Sequence, residues 1–336
     1  MKILIATNEH VMKDERYMDD KGWSFHKSFE RLGIKTETFF YKKKGGFSFI
    51  EKNKNIKGIW RSIMNRNLVS QVKKTSPDIL FIGKGETITP ETLWELRRKT
   101  DTVIVNVFPD NPLYMGRFEA IEPCHYFFVK DTYVRDTLRT AGLKNVHYLP
   151  QCTDPDVHRP IDLADDEKTE YSSDVSLIGS MYPYRLKFME ELLEFTPVIW
   201  GRGWSRSGRQ EIERCYRGRD IRGNQKAKAI SGTKISLNPH HPLNDIYGVN
   251  RRTYDIAACR GFQLVDFKHD LEDLFTVGEE IICFRTLDEL RNLIKYYLKH
   301  QEERAHIAEA AYKRVLKEHT YDVRAKAILD IIKERC

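Results

Sequence analysis

Asp174-Val175-Ser176-Leu177-Ile178-Gly179 is a short apolar run that ends at a glycine, and Ser180-Met181-Tyr182-Pro183-Tyr184-Arg185 follows it directly. The run is typical of a buried strand, and Pro183 fits the first position of a helix. Strand, turn and helix patterns of this kind alternate along both halves of the chain. Repeated β-α units predict an α/β fold with parallel, doubly wound sheets and right-handed crossovers.

The first half contains strand-type runs that are rich in Val, Ile and Phe, as expected for strands buried on both faces. Helices are predicted over 23–32, closed by Gly33, over 56–74, and over 90–98 with Thr89 as the N-cap. The predicted strands are 3–6, 36–41, 79–82, 102–108, 126–129 and 146–149.

The pattern stops between the two halves and then resumes. Residues 153–173 are rich in proline and acidic residues and lack periodicity, which predicts an interdomain linker. Later strands are predicted near 174–178, 198–200, 235–237, 262–267 and 280–284, and helices over 183–195 and 250–259, the second ended by Gly261. We therefore predict an N-terminal Rossmann-like domain over 1–152, a C-terminal Rossmann-like domain over 174–320, and a final helix over 321–336.

The composition is that of a globular protein. The 336 residues are 40% hydrophobic and 31% charged, and no apolar run approaches the ~20 residues of a membrane span. The opening residues 1–7 are too short for a secretion signal and predict a first buried strand. The six cysteines lack zinc-ligand spacing, so we expect reduced thiols in a cytoplasmic protein. The net charge of +7 favours anionic partners, including nucleotide diphosphates, acidic polymers, nucleic acid and anionic lipid.

Several common motifs are absent from the sequence. No Gly-x-Gly-x-x-Gly fingerprint follows the first strand, and neither a P-loop nor a Gly-x-Ser-x-Gly elbow occurs. The adjacent His240 and His241 would point in opposite directions on an extended chain, so a shared metal is disfavoured. A hydrogen-bonding role for His240 is the better interpretation, and no metal site is predicted.

Ligands of open parallel sheets bind outside the carboxyl ends of the strands, so the residues after each strand are the candidate site. Gly179, Ser180 and Arg185 indicate a phosphate site at a helix N-terminus. An ordinary turn with a surface arginine is the alternative.

A second glycine-rich turn follows the strand at 198–200. Gly201, Arg202 and Trp204 suit a phosphate and a stacked base, and a tight turn with a buried indole is the alternative. Asn238 follows the strand at 235–237, directly before the Pro239-His240 pair.

The helix that starts after Asn250 carries the most informative pattern. Asn250 is a good N-cap, and Arg251 and Asp255 lie on one face, four residues apart. Such a face suits a nucleotide, with phosphates at the amide end and ribose hydroxyls on the carboxylate. A plain Arg251–Asp255 ion pair on a surface helix is the alternative.

Taken together, these segments resemble the CgeB-type spore maturation glycosyltransferases, within the wider group that has the GT-B fold. The matching segments are 178–180 with Arg185, 200–204, 234–240, 250–259, 262–266, 274–281, 296–308 and 319–321, so the resemblance covers about residues 174–332. In the first half only 82–86 and 108–112 look alike.

The resemblance implies an EC 2.4 hexosyl- or pentosyltransferase that moves a sugar from a nucleotide diphosphate-sugar to a hydroxyl of a glycan, protein or other acceptor, with neither metal nor cofactor. It favours a retaining reaction. Many relatives carry two glutamates eight residues apart, whereas Tyr247 and Asp255 occupy these positions here, which leaves the donor sugar open. The final helix of such enzymes crosses back to the first domain.

The resemblance also implies two domains that face a cleft, with the donor in the second and the acceptor in the first. The developing charge on the leaving diphosphate would be met by Arg185, Arg251 and the amides of Ser180 and Asn250, with Arg202 in second rank. An inverting enzyme would need a base, for which Asp110 is the candidate with His10 behind it. Acceptor-side candidates are Asn8, Lys84 and Glu86.

Three alternatives stay open from the sequence. A sugar-nucleotide epimerase has the same fold and needs no acceptor, and a non-catalytic nucleotide-binding module would show no turnover. The basic stretch 202–234 would suit an anionic acceptor or a modified DNA base, although a solvated helix face is the favoured interpretation. The nucleotide, the sugar, the anomeric outcome and the oligomeric state are not determined by these patterns.

Overall fold

The computed structural model describes residues 1–12, 15–18, 20–42 and 54–334. The chain divides into two compact units. The first unit comprises residues 1–150, 243–246 and 321–336, and the second comprises residues 151–242 and 247–320.

The first unit contains a parallel sheet in the order β3-β1-β4-β5-β6-β7. Its strands are β1 (Lys2–Met12), β2 (Glu15–Met18), β3 (Lys35–Lys42), β4 (Ile79–Gly83), β5 (Val103–Phe108), β6 (Tyr126–Val129) and β7 (Val146–Tyr148). Leu4, Leu80, Ile104 and Phe127 are fully buried in one core, as the apolar runs predict.

The first strand is longer than its apolar run predicted. Residues 9–12 continue β1 because they pair with β2 in antiparallel register, from Glu9 opposite Met18 to Met12 opposite Glu15. The strand therefore extends beyond the predicted 3–6, because pairing with β2 continues it to Met12.

Three helices of the first half agree with their predicted positions, and the fourth, at 132–140, was not predicted. They are α1 (Asp20–Arg31), α2 (Lys54–Thr75), α3 (Pro90–Lys99) and α4 (Thr132–Thr140). Thr89 caps α3 as predicted, because its hydroxyl accepts a hydrogen bond from the Thr92 amide at 3.3 Å.

The second unit contains a parallel sheet in the order β12-β11-β10-β8-β9. Its strands are β8 (Ser173–Ile178), β9 (Val198–Trp200), β10 (Thr233–Asn238), β11 (Gln263–Asp266) and β12 (Ile282–Phe284). Val175, Leu177, Ile235 and Leu264 lie in its main core and are almost completely buried. The predicted fold class, two doubly wound parallel-sheet domains, is confirmed.

Helices surround this second sheet and fill the C-terminal part of the chain. They are α5 (Asp165–Tyr171), α6 (Pro183–Glu190), α7 (Gln210–Cys215), α8 (Gly223–Ser231), α9 (Arg251–Ala258), α10 (Leu271–Leu274), α11 (Leu287–Lys299), α12 (Gln301–Glu318) and α13 (Tyr321–Lys333). None of the helices within the described ranges is both long and apolar enough to cross a membrane.

Two local details differ from the patterns read in the sequence. The aperiodic stretch before β8 contains α5, whose first turn carries Asp165, Asp166 and Glu167, because carboxylates are favoured at a helix N-terminus. After α9 the left-handed residue is Arg260, with a φ of 52°, rather than Gly261. Gly261 is required for close packing instead, since a Cβ there would lie 2.5 Å from Cγ2 of Ile230.

Two segments distant in sequence belong to the first unit. In α13, Arg324 donates to the carbonyl of Pro150 at 2.8 Å, and Asp322 pairs with Arg31 at 2.7 Å. In the loop 243–246, the Ile246 amide donates to Asp131 at 2.8 Å. These contacts connect both segments to elements of the first sheet.

Candidate functional site

The order of the second sheet fixes where its ligand site should lie. The chain winds from β8 outward to β9 and then returns to β10 on the other side, so the direction reverses between β8 and β10. Crevices at such reversals, outside the carboxyl ends of the strands, are the usual ligand sites of open α/β sheets. Gly179 follows β8, and Pro239 follows β10.

The turn after β8 is packed against the turn after β9. Gly201 has a φ of 138°, and a Cβ there would lie 2.1 Å from the carbonyl oxygen of Gly179. Trp204 is fully buried, and its Nε1 donates to the same carbonyl at 2.8 Å. The structure therefore agrees with the tight turn and buried indole, and the indole holds the Gly179 turn in place.

Arg185, in the first turn of α6, lies within this turn and not on the surface. It is 3% exposed. Its Nη1 donates to the Ser180 carbonyl at 2.6 Å, and its Nη2 lies 3.4 Å from the Pro239 carbonyl. Both acceptors are neutral oxygens. The guanidinium charge is therefore held at the β8–β10 reversal without neutralisation by these contacts.

Arg252, the second residue of α9, lies beside Arg185 but was not among the predicted site residues. Its Nε donates to Asn238 Oδ1 at 3.0 Å, and its Nη2 donates to the Pro239 carbonyl at 2.8 Å. In the described part of the chain, neither Arg185 nor Arg252 forms an ion pair with a carboxylate. Burial and the charge of Arg185 lower the pKa of Arg252 to about 9.

The same two arginines explain the glycine after β8. A Cβ on Gly179 would lie 2.5 Å from Nη1 of Arg252 and 3.0 Å from Nη1 of Arg185. Both guanidinium groups therefore converge on the backbone at this one point. We call Arg185 and Arg252 the arginine pair.

Asp255 lies in the next turn of α9 and is fully buried. Lys226 at 2.5 Å, Arg251 at 3.1 Å and Thr153 at 2.8 Å contact its carboxylate, and His158 lies 3.3 Å away. Burial alone would raise the pKa of Asp255, but Arg251, His158 and Lys226 outweigh it and hold this pKa far below its usual value. Direct contact with a ribose would require the carboxylate to exchange these partners.

Two asparagines link the strand to the helix. Asn250 caps α9 as predicted, since its Oδ1 accepts from the Thr253 amide at 3.3 Å. Its Nδ2 donates to Asn238 Oδ1 at 3.0 Å, the same oxygen that accepts from Arg252. Asn238 is fully buried, so these two predicted residues fix the position of Arg252 at the end of β10.

His240 also lies at this edge, where its ring is buried. Its Nδ1 and its backbone amide each lie 2.7 Å from Oδ1 of Asp266, at the end of β11. Burial would raise the pKa of Asp266, but His240 and Lys268 lower it to about 2. Burial lowers the pKa of His240 itself, although Asp266 acts in the opposite direction.

The side chain of Arg202 does not contact the arginine pair. Its side chain is 70% exposed, and its Nε lies 3.6 Å from Asp220. Of the predicted donor-side residues, the structure therefore brings together Gly179, Ser180, Arg185, Gly201, Trp204, Asn238, His240, Asn250, Arg251 and Asp255.

The first unit has a different set of charges at its own strand ends. Nζ of Lys84, after β4, lies 2.9 Å from Asp110 and 3.2 Å from Glu86. The two carboxylates outweigh burial and raise the pKa of Lys84. Burial would raise the pKa of Asp110, but nearby Lys21 and Lys84 hold it below its usual value. We call Lys84, Glu86 and Asp110 the lysine–carboxylate cluster.

Lys84 adopts a backbone conformation that is rare for its type. Its φ is 65°, in the left-handed region that disfavours residues with a Cβ. Asn8 lies at the neighbouring strand β1, and its Oδ1 is buried with no partner among the described residues. The side chain of His10 lies outside the described residues.

Sequence patterns indicated part of this arrangement. Among the residues that the structure describes, no group of three His, Cys, Asp or Glu side chains is placed to hold a metal ion. Lys226 and Arg252 were missed because neither follows a strand directly. The sequence did contain a signal for Arg252. The i,i+4 spacing pairs Arg251 with Asp255, so Arg252 lies on a different helix face and is not paired with that carboxylate.

Comparisons with known proteins agree with this geometry. The family described as "Glycosyl transferase-like" matches residues 185–330. The spore protein CgeB of Bacillus subtilis (strain 168) is 25% identical over 271 residues, covering 75% of this chain and 82% of CgeB. The chain is similar to CgeB, and its second half matches a glycosyltransferase family. Both the family resemblance and the enzyme class predicted from the sequence are confirmed.

Similarity to solved structures shows that this chain has the GT-B fold. Sucrose-phosphate synthase (tll1590) from Thermosynechococcus elongatus superposes with a TM-score of 0.71 at 12% identity, covering 99% of this chain and 98% of that one. The E. coli trehalose-6-phosphate structure bound with UDP-2-fluoro glucose superposes with a TM-score of 0.70 at 12% identity, covering 99% of both chains.

Proposed function

We propose that this glycosyltransferase transfers a sugar from a nucleoside diphosphate-sugar, without a metal ion and with retention, and that the arginine pair binds the diphosphate. The observation that carries the proposal is the convergence of Arg185 and Arg252 on the Gly179 turn, hydrogen-bonded to neutral oxygens. The E. coli neighbour bound with UDP-2-fluoro glucose supports a donor of this class.

The charge of the arginine pair suits a departing diphosphate. Burial disfavours the charged form of Arg252, and repulsion from Arg185 adds to this effect, as the lowered pKa of Arg252 indicates. A diphosphate would relieve this repulsion, and negative charge develops on it as the glycosidic bond breaks. Fixed cations in a site of low dielectric constant stabilise such charge strongly. The guanidinium groups would thus supply the positive charge that a metal ion supplies in other transferases.

Asp255 has a positioning role in this proposal. Its carboxylate neutralises Arg251 and Lys226, which otherwise would add two further unpaired cations beside the arginine pair. Arg251 lies in the first turn of α9 and Asp255 one turn later, so the ion pair also fixes the start of the helix. Asp255 would therefore act on the donor through α9 and not by direct contact.

The lysine–carboxylate cluster supports retention. An inverting enzyme needs a general base whose pKa lies near the working pH. Lys84 and Lys21 hold the pKa of Asp110 below its usual value, which makes Asp110 a weak base. A retaining reaction uses a phosphate oxygen of the donor as the base. Asp110 and Glu86 would then bind an acceptor hydroxyl as ionised hydrogen-bond acceptors.

The thiols support a reducing, cytoplasmic location. Cys124, Cys215, Cys259 and Cys283 are free thiols in the described part of the chain. Burial raises the pKa of Cys124 and of Cys259 to about 12, so these thiols stay protonated and unreactive at neutral pH.

A thermal-shift screen with UDP, GDP, dTDP, ADP and CMP in the presence of EDTA tests the proposal. A ligand that binds only the folded protein raises its melting temperature. We expect a clear increase with one diphosphate, undiminished by EDTA. The Arg185→Gln variant should lose the increase, because the diphosphate loses one of its two buried cations.

The matched control is Arg202→Gln, since Arg202 lies near the same strand ends but is 70% exposed. It should keep the full increase. No shift with any nucleotide, or equal shifts in both variants, would contradict the arginine pair as the donor site. Donor consumption without an acceptor would indicate an epimerase, and binding without turnover a binding module.

A further inference from the structure

His240 is held in one orientation by three contacts. Asp266 Oδ1 lies 2.7 Å from both the backbone amide and the Nδ1 of His240. The hydroxyl of Tyr184 donates to the His240 carbonyl at 2.6 Å. The ring can therefore neither rotate nor flip without breaking the contact with Asp266.

These contacts also fix the tautomer of the ring. An ionised carboxylate accepts hydrogen bonds and donates none, so the ring nitrogen that faces Asp266 must carry the hydrogen. Because His240 is only 2% exposed, the neutral imidazole is favoured over the cation. In a neutral ring with hydrogen on Nδ1, the other nitrogen, Nε2, has a free lone pair and is an acceptor.

This acceptor has no hydrogen-bond donor within the described ranges. Nε2 of His240 is buried and without a partner there. Buried polar atoms in folded proteins are almost always paired, so the unpaired Nε2 requires an explanation, and a bound ligand is one. A sugar hydroxyl is a donor of the required kind, whereas an ionised diphosphate offers only acceptors.

The neighbourhood of His240 indicates which ligand carries that hydroxyl. His240 directly follows Pro239, whose carbonyl contacts both Arg185 and Arg252. In a nucleoside diphosphate-sugar, a sugar ring flanks the diphosphate on each side: the transferred sugar and the ribose. Both bring hydroxyl groups next to a diphosphate held by the arginine pair.

We propose that Nε2 of His240 accepts a hydrogen bond from a hydroxyl of the sugar nucleotide, and that the His240–Asp266 pair selects donors carrying that hydroxyl. The proposal rests on the proposed function, since it requires the second unit to bind a nucleoside diphosphate-sugar. In addition to the arginine pair, His240 would then determine specificity by recognising a hydroxyl group and not a phosphate. The transferred sugar and the ribose are the two possible sources of that hydroxyl.

Isothermal titration calorimetry with UDP, 2′-deoxy-UDP, 3′-deoxy-UDP, UDP-glucose and its monodeoxy analogues tests the proposal. Wild-type protein should bind one deoxy ligand about tenfold more weakly than its parent, a typical loss for a buried acceptor left unpaired. His240→Asn should bind parent and deoxy ligand equally, because the asparagine amide can replace Nδ1 but has no atom at Nε2. Loss with a deoxyribose ligand identifies the ribose, and loss with a deoxyglucose ligand identifies the transferred sugar.

Two further variants make the result decisive. His240→Phe removes both ring nitrogens and should give the same equal binding if His240→Asn folds poorly. His241→Phe is the control, since His241 is adjacent and contacts the Tyr182 and Tyr184 rings. It should keep the wild-type preference.

Equal losses in wild type and His240→Asn for every deoxy ligand would overturn the role of His240. The proposed function would survive that result, because UDP itself would still bind. If neither UDP nor any other nucleoside diphosphate of the screen binds to wild-type protein, both proposals fail together.

Discussion

The two units share an order of parallel strands but carry different charges at their strand ends. Each sheet reverses its winding direction after its first strand, between β1 and β4 in the first unit and between β8 and β10 in the second. At the second reversal lies the arginine pair, with neutral partners. At the first lies the lysine–carboxylate cluster, in which each charge faces its opposite.

The difference shows that the fold provides the place and the side chains determine the ligand. A site with unpaired cations favours an anion, such as a diphosphate. A site whose charges are already paired gains little from an anion and offers ionised oxygens to hydroxyl groups. The two reversals of one chain would thus bind the two substrates of one transfer reaction, donor and acceptor.

The largest expected effect concerns Asp255, the buried carboxylate that neutralises Lys226 and Arg251. Asp255→Asn should destabilise the protein by about 3–5 kcal/mol, because Lys226 and Arg251 would stay buried without a counter-charge. Urea unfolding of wild type and variant would measure the loss of free energy of unfolding.

Asp165→Asn is the matched control, since Asp165 pairs with Lys168 at 2.7 Å but is 96% exposed. Its removal should change stability little, as is usual for exposed ion pairs. A stable Asp255→Asn protein would show that the carboxylate is not needed to balance these cations. Asp255 would then be free for the ribose contact predicted from the sequence.

The next effect should have opposite signs for stability and binding. Arg252→Gln removes one of two adjacent like charges, so the ligand-free protein should gain about 1 kcal/mol of stability. The affinity for the diphosphate found in the screen should fall by roughly ten- to a hundredfold, as for a lost charge-assisted hydrogen bond. Differential scanning fluorimetry and calorimetric titration measure the two quantities.

Arg251→Gln provides the comparison for that result. Arg251 lies one residue away on α9, but its Nε pairs with Asp255 at 3.1 Å. It should lose stability and retain most of its nucleotide affinity. If Arg251→Gln instead lost affinity and Arg252→Gln kept it, the diphosphate would bind Arg251, as the sequence predicted.

The contrast between Arg251 and Arg252 also shows how much of the site could be predicted from the sequence. Alternation of strands and helices was sufficient for the fold class, because buried parallel strands need continuous apolar runs. Position after a strand identified Arg185 and His240, whereas Lys226 lies within α8 and is brought to Asp255 only by tertiary packing. The i,i+4 spacing pairs Arg251 with Asp255, but only the structure shows that Arg252 points to the Pro239 carbonyl. The burial of Asp255 likewise depends on Thr153 and His158, about a hundred residues earlier.

In the first unit, removing the lysine should change the pH dependence of the reaction. Lys84 is one of the cations that hold the pKa of Asp110 below its usual value. In Lys84→Met the pKa of Asp110 should rise, because one of the cations that stabilise its ionised form is lost. Since Asp110 would act in its ionised form, activity should fall as the pH drops through this pKa, so the acidic limb of the kcat/KM profile should move to higher pH than in wild type. An unchanged limb would separate Asp110 from the reaction.

The smallest effect separates backbone strain from charge at the same residue. Lys84 and Thr196 both have positive φ values, 65° and 43°, but only Lys84 lies in the lysine–carboxylate cluster. Glycine relieves such strain, so Thr196→Gly should be more stable by about 1 kcal/mol or less and fully active. Lys84→Gly gains the same relief but loses two ion pairs, so its stability should stay close to that of wild type while its activity falls. Unchanged activity in Lys84→Gly would show that the lysine charge is not needed for the reaction. Lys84 would then only shape the loop after β4.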